Sequence, residues 1–204
     1  GSSEAWKGFS EQGISRLTGR NKLIGIIDTG LDKDHSEFNR PKKVRGGYNF
    51  VKGNTDYKDE EGHGTHVAGI SAGQGKTDKY RGMAYEADLM AYRVFTPKQQ
   101  GARNVIAAID RSVADKCDVI NMSLGYAGGE NSKGSSAYHR SIANASKAGV
   151  LVVVAIGNDG SRRSDLLWTA GSPAIVEEAF SVAASNDRTI EASLILTPQE
   201  ASKV

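Results

Sequence analysis

Two short strings combine residues that do acid–base chemistry with residues small enough to let them meet. His63 opens His63-Gly64-Thr65-His66-Val67-Ala68-Gly69. Small side chains there let a helix begin close against a sheet and leave the first imidazole facing a cleft, which is where a general base belongs. Asp28, in Ile27-Asp28-Thr29-Gly30, closes an apolar run. A carboxylate at that point can accept a hydrogen bond from an imidazole, hold it in one tautomer and stabilise its protonated form. Each string alone also has a plainer reading, because Asp-Thr-Gly serves aspartic proteases and ordinary turns, and a lone histidine is commonly a surface or satisfied core residue. His63 and His66, three apart, share a helix face and could be metal ligands. No HExxH glutamate and no cysteine cluster accompanies them, so no metal is expected. His66 is expected to pack behind the site with its ring hydrogen-bonded to the scaffold.

Two further strand ends carry polar or accessible groups. In Ala155-Ile156-Gly157-Asn158 the asparagine amide could donate to the oxyanion of a tetrahedral intermediate, or serve as a turn residue in Asn158-Asp159-Gly160. At Ser123-Leu124-Gly125 an extended backbone could take a peptide as an added strand, or simply run from a buried strand into a turn.

The elements that must position these groups are legible as short apolar runs. Lys22–Asp28, Leu89–Phe95, Asp118–Leu124 and Leu151–Ile156 end in Gly, Thr, Ser or Asn and read as buried parallel strands. Phe180–Ala184 reads as another core strand. Helical patterns lie between them: His63–Ala72; Asn104–Lys116, with Val105, Ile106, Ile109 and Val113 on one face and Asn104 as N-cap; and Ser136–Ala148, with Ile142 and Ala145 inward and Gly149 closing it. Gly128–Ser135 and Asp159–Trp168 read as polar loops. Strand, helix, strand in this order predicts an α/β fold, a three-layer sandwich around a mostly parallel sheet. In such sheets ligands sit at the carboxyl ends of the strands, where the candidate residues fall.

Composition excludes several classes. The 26 basic and 24 acidic residues among 204 leave a formal charge of +2, with no surplus of the kind that marks nucleic-acid or membrane-surface binding. The longest apolar stretch, Val150–Ile156, is far below the ~18 residues of a membrane span. The single cysteine, Cys117, rules out an internal disulfide and reads as a small buried hydrophobe.

Asp28-Thr29-Gly30, His63 to Gly69, Asn121-Met122-Ser123-Leu124-Gly125 and Gly157-Asn158 occur in the order found in subtilases. From about Ile14 to Ser185 the chain resembles the subtilisin-like serine proteases of peptidase family S8. The resemblance implies a secreted or cell-surface endopeptidase. In it Asp28 orients His63, His63 takes a proton from a serine, and Asn158 donates to the oxyanion. Ser123, Leu124 and Gly125 form one wall for the substrate backbone, and Ala155, Ile156 and Gly157 line the pocket for the residue before the scissile bond. Ile156 departs from the small residue often found there and is expected to narrow that pocket.

The family's Gly-Thr-Ser-Met-Ala-type nucleophile string does not occur in these 204 residues. Ser181, Ser185, Ser193 and Ser202 lack its small-residue surroundings. Residues 1–204 therefore read as an N-terminal portion of the catalytic domain, with the serine-bearing segment expected downstream as a partner. Gly171-Ser172-Pro173-Ala174, followed by Phe180–Ser185, resembles subtilases that carry an inserted protease-associated domain. Peptides or proteins are the expected substrates. No cofactor is expected. Calcium is frequent in the family, but Glu37 stands where many relatives use an aspartate ligand and Gly73–Tyr80 does not match the usual binding loop. Asp56, Asp59, Glu60 and Glu61 could hold such an ion, but a solvated acidic loop is the commoner outcome for such a run. The competing reading is an inactive pseudo-protease that keeps the peptide-binding strands; retention of Asp28, His63 and Asn158 together argues against it.

Overall fold

A computed structural model describes residues 6–9, 14–39, 43–75, 80–96, 101–126, 136–159 and 170–184. A two-stranded antiparallel ribbon, β1 (Gly8–Phe9) with β2 (Ile14–Ser15), precedes the main sheet. The six strands that follow are β3 (Leu23–Asp28), β4 (Val44–Asn49), β5 (Asp88–Arg93), β6 (Val119–Met122), β7 (Leu151–Ala155) and β8 (Phe180–Val182). They form one parallel sheet in the order β4-β5-β3-β6-β7-β8. Three helices connect them: α1 (His63–Ala72), α2 (Ala102–Ala114) and α3 (Ala137–Lys147).

Side chains alternate across a strand, so β3 supplies both faces of the sheet. Ile24 and Ile26 join Ala68 and Ala72 of α1, with Leu89 and Ala91 of β5, in one core cluster. Ile27 joins the other, where Val105 and Ile109 of α2 and Ile142 and Ala145 of α3 meet Ile120, Val152 and Val154. The result is the expected three-layer α/β sandwich, with α1 on one face and α2 and α3 on the other. Asp28 is in phase with Ile24 and Ile26, so it shares the face that α1 covers. From β3 the chain goes out to the edge strand β4 and returns through β5, then crosses to β6 and runs outward through β7 and β8; leaving β3 and β6 in opposite directions puts a switch point between them and a crevice outside their carboxyl ends.

The apolar runs expected as strands are β3, β5, β6 and β7, each trimmed or shifted by one or two residues. Helix α3 begins as read, with the Ser136 hydroxyl accepting from His139 N at 3.0 Å. Two expectations are corrected, and one strand was not foreseen. Asn104 is not an N-cap: α2 starts at Ala102 behind Gly101, and the Asn104 amide donates to the Val94 carbonyl at 3.0 Å, tying the helix to the end of β5. Phe180–Val182 is an exposed edge strand, with Phe180 60% exposed, and is not in the core. Strand β4 was not expected, because Val44-Arg45-Gly46-Gly47-Tyr48-Asn49 has no apolar run. Gly47 is required there: an added Cβ would lie 2.1 Å from the Ala91 carbonyl.

Cys117 is buried among core residues as expected, and burial pushes its thiol up to about 11. The loops read at Gly128–Ser135 and over residues 160–168 lie outside the described residues. Among the described residues no helix is long and apolar enough to cross a membrane.

Candidate active site

Asp28 is the last residue of β3 and His63 the first of α1, so the end of a strand meets the start of the helix packed on it. The His63 Nδ1 lies 2.7 Å from Asp28 Oδ1. That contact requires a close approach. An added Cβ on Gly64 would sit 2.2 Å from the Gly30 carbonyl and 3.1 Å from Asp28 Cβ. The small residue after His63 thus does what its type suggested.

The two partners differ in environment. Asp28 is fully buried while the His63 side chain is 53% exposed. Asp28 Oδ1 also accepts from Thr29 N at 2.7 Å, whereas Oδ2 has no hydrogen-bond partner among the described residues. Burial raises the Asp28 carboxyl above its ordinary value, and the hydrogen bonds from His63 and Thr29 oppose that rise. With Nδ1 committed to the carboxylate, the remaining ring nitrogen, Nε2, is the one free to take or give a proton.

His63 faces a cavity of about 530 Å³ whose lining includes Thr29, Glu61, Phe95, Ser123, Leu124 and Gly125. The structure therefore brings Asp28, His63 and the end of β6 to one cleft at the switch point. Ser123 Oγ accepts from the Asn121 amide at 3.0 Å. Ala155, Ile156 and Gly157 are not among the cavity's lining residues. Ile156 N donates to the Val182 carbonyl, and the Ile156 carbonyl accepts from Gly171 N. Asn158 is exposed, three residues past the end of β7.

Two readings of side chains are corrected. His66 does not pack behind the site. It is exposed and lines a different cavity, with Asp32, His35 and Tyr80. Asp59 is not part of a solvated acidic loop. It is 8% exposed and accepts from Thr29 Oγ1, Glu61 N, Gly62 N, Thr65 N and Thr65 Oγ1 at 2.6 to 3.0 Å. Sequence reasoning missed this residue as a structural hub. An aspartate four residues before the first histidine, with glycine at the N-cap position, was the available signal.

Burial pushes the Asp59 carboxyl up, but the Thr65 hydroxyl and the backbone N–H groups of Glu61, Gly62 and Thr65 outweigh it and hold it at about 2, against an ordinary 3.8. A depressed folded-state value means stabilisation that is present above the ordinary carboxylate range and lost as pH falls towards about 2. The melting temperature of the parent protein is therefore expected to exceed that of Asp59→Asn at pH 6. The gap should narrow as the pH drops from about 5 to about 2. A gap that stays constant over that range would exclude Asp59 as the titrating group.

A parallel α/β sandwich with a buried aspartate against a cleft-facing histidine at the carboxyl edge of its sheet is the class of fold and site that these elements define. Residues 19–202 match the model of the Subtilase family (peptidase S8), and the chain belongs to that family. It is 33% identical over 198 residues to the minor extracellular protease Epr of Bacillus subtilis (strain 168), covering 97% of this chain and 27% of Epr. It is 37% identical to the minor extracellular protease Vpr of the same organism, covering 91% of this chain and 22% of Vpr. With subtilisin DY of Bacillus licheniformis the identity is 36%, over 86% of this chain and 60% of the subtilisin. The crystal structure of a lanthipeptide protease matches with a TM-score of 0.64 at 27% identity, over 80% of this chain and 49% of that one. The chain thus spans less than two thirds of each of these relatives.

Proposed function

We propose that this chain is the Asp- and His-bearing part of a serine endopeptidase that cleaves peptide bonds in extended substrates. The observation that carries the reading is the 2.7 Å contact between the buried Asp28 carboxylate and the Nδ1 of a histidine that opens onto the cleft. Asp28 holds the proton on Nδ1, which leaves the Nε2 lone pair to deprotonate a serine hydroxyl as it attacks the scissile carbonyl. Oδ1 then stabilises the imidazolium until the proton passes to the leaving amine. Asn158 is assigned the oxyanion role through its side-chain amide. Ser123 to Gly125, on the wall of the cleft, pair with the substrate backbone, and Ala155 to Gly157, which lie outside that cavity's lining, are assigned by the family resemblance to the pocket for the residue before the scissile bond. The nucleophile is expected downstream of this sequence.

Relatives named as extracellular proteases support a secreted or cell-surface location. A serine-directed fluorophosphonate probe tests the reading by intact mass. The full-length protein is expected to gain one probe mass, and residues 1–204 alone none. Labelling of residues 1–204 would put the nucleophile within them. No labelling of an active full-length protein would remove serine chemistry altogether.

A further inference from the structure

The first N–H groups of a helix lack partners within it, and a side chain at the N-cap ordinarily satisfies some of them. Gly62, at the N-cap of α1, has no side chain to offer. The groups that do so come from elsewhere. Gly64 N donates to Thr29 Oγ1 at 2.9 Å, and Thr65 N donates to Asp59 Oδ2 at 2.9 Å. Thr29 is the residue after Asp28, and its own N–H donates to Asp28 Oδ1. Two covalent links, Asp28-Thr29 and His63-Gly64, and two hydrogen bonds, Thr29 to Gly64 and His63 to Asp28, therefore close a ring around the proposed catalytic pair.

The direction of the Thr29 hydroxyl decides whether that ring can close. A hydroxyl has one proton to donate and lone pairs to accept with. Thr29 Oγ1 donates to Asp59 Oδ1 at 3.0 Å, which turns its lone pairs towards Gly64 N. An ionised carboxylate is an acceptor only, so Asp59 permits no other direction for that proton. Thr29, Asp59 and Gly64 are all buried, where water does not readily substitute.

We propose that Thr29 and Asp59 are positioning residues that fix His63 against Asp28, their side chains acting through the N-terminus of α1 and not on the reacting atoms. This inference rests on the peptidase reading for its kinetic consequence and on the geometry alone for its spectroscopic one. In the full-length protein Thr29→Val, which keeps the side chain's shape but removes the hydroxyl, is expected to lower kcat about ten- to a hundredfold with KM within about twofold. Thr29→Ser is expected to recover most of that loss. Asp59→Asn should act in the same direction. The double variant should be little worse than the more damaging single one, because both interrupt one ring.

Proton NMR of the same proteins supplies a readout that needs no turnover. The hydrogen-bonded Nδ1 proton of His63 should be observed far downfield in the parent and in Thr29→Ser, and should weaken or shift upfield in Thr29→Val and Asp59→Asn. A Thr29→Val protein that melts lower yet keeps kcat within about twofold of the parent reduces the pair to fold stability and overturns the proposal. So does a Nδ1 signal that is the same in parent and variant. If the parent hydrolyses no peptide, the peptidase reading fails while the NMR comparison still decides the positioning role. If Thr29→Val does not fold, Asp59→Asn against the parent decides it by the same two readouts.

Discussion

Asp28→Asn in the full-length protein is expected to lower kcat by about 10⁴ and to leave KM within about twofold, without lowering the melting temperature at neutral pH. Loss of activity and retention of stability follow from the same geometry. The neutral amide cannot stabilise the charge that develops on the His63 ring, and wherever its NH₂ turns to Nδ1 it forces the ring proton onto Nε2, removing the lone pair that must act as base. Substrate binding is untouched because Asp28 is fully buried behind His63. Stability moves the other way. Burial raises the Asp28 carboxyl above its ordinary value, so the ionised form is less comfortable in the fold than in the unfolded chain. For an acid with a raised folded-state value, stability falls as pH rises from the ordinary carboxylate range through that raised value. Asp28→Asn abolishes this term, so its melting temperature should match or exceed the parent's at pH 7, with the advantage shrinking as the pH falls through the raised value and gone by about 4. A variant that loses activity and also melts well below the parent at pH 7 would show that the carboxylate holds the fold together rather than serving the histidine.

What could be read from sequence was what is local. Strand β3 announces itself through six consecutive residues, five of them buried. The string from His63 to Gly69 carries its own geometry, since a glycine beside the histidine is the local condition for a helix to touch a strand. Less could be read wherever a residue's partners come from separate segments. Asp59 gathers donors from residues 29, 61, 62 and 65, and in Lys58-Asp59-Glu60-Glu61 only its place four residues before His63 sets that carboxylate apart from its exposed neighbours. Asn104 has the type of a helix cap, but the Val94 carbonyl ten residues earlier is a better acceptor for its amide once the helix has docked. Strand β4 is held by its neighbour β5 rather than by its own composition, and Gly47, which argues against a strand locally, is what lets the backbone approach. Arg93 is a similar case. It ends β5 in register with Asp28 and is 1% exposed, and it is buried because its guanidinium reaches the Lys58 carbonyl and the Glu60 carboxylate in the segment leading to His63.

Gly64→Ala separates local helix preference from the demands of the site. Alanine stabilises a helix interior by roughly 1 kcal/mol relative to glycine, so on propensity alone the change should help. Position 64 does not allow it. The added Cβ would sit 2.2 Å from the Gly30 carbonyl, with Asp28 Cβ and Oδ1 at 3.1 and 3.2 Å. Carbon atoms need about 3.5 Å, so α1 must back away from β3 by on the order of 1 Å. Overpacking of this kind costs about 1–3 kcal/mol, which exceeds the propensity gain, and the melting temperature should fall. The larger consequence is catalytic. A retreat of about 1 Å stretches the 2.7 Å contact between His63 and Asp28 beyond hydrogen-bonding length and breaks the Thr29 to Gly64 bond with it, for an expected loss of about a hundredfold in kcat. Gly69→Ala is the internal control. It lies on the same helix, an added Cβ meets nothing within 4 Å, and its glycine has no part in the cleft that His63 faces. The control is expected to melt higher than the parent by a margin worth up to about 1 kcal/mol, with kcat unchanged. If Gly64→Ala instead behaves like Gly69→Ala, the approach of α1 to β3 has slack. The distance between His63 and Asp28 would then have to be set by the side chains themselves and not by the seating of the helix.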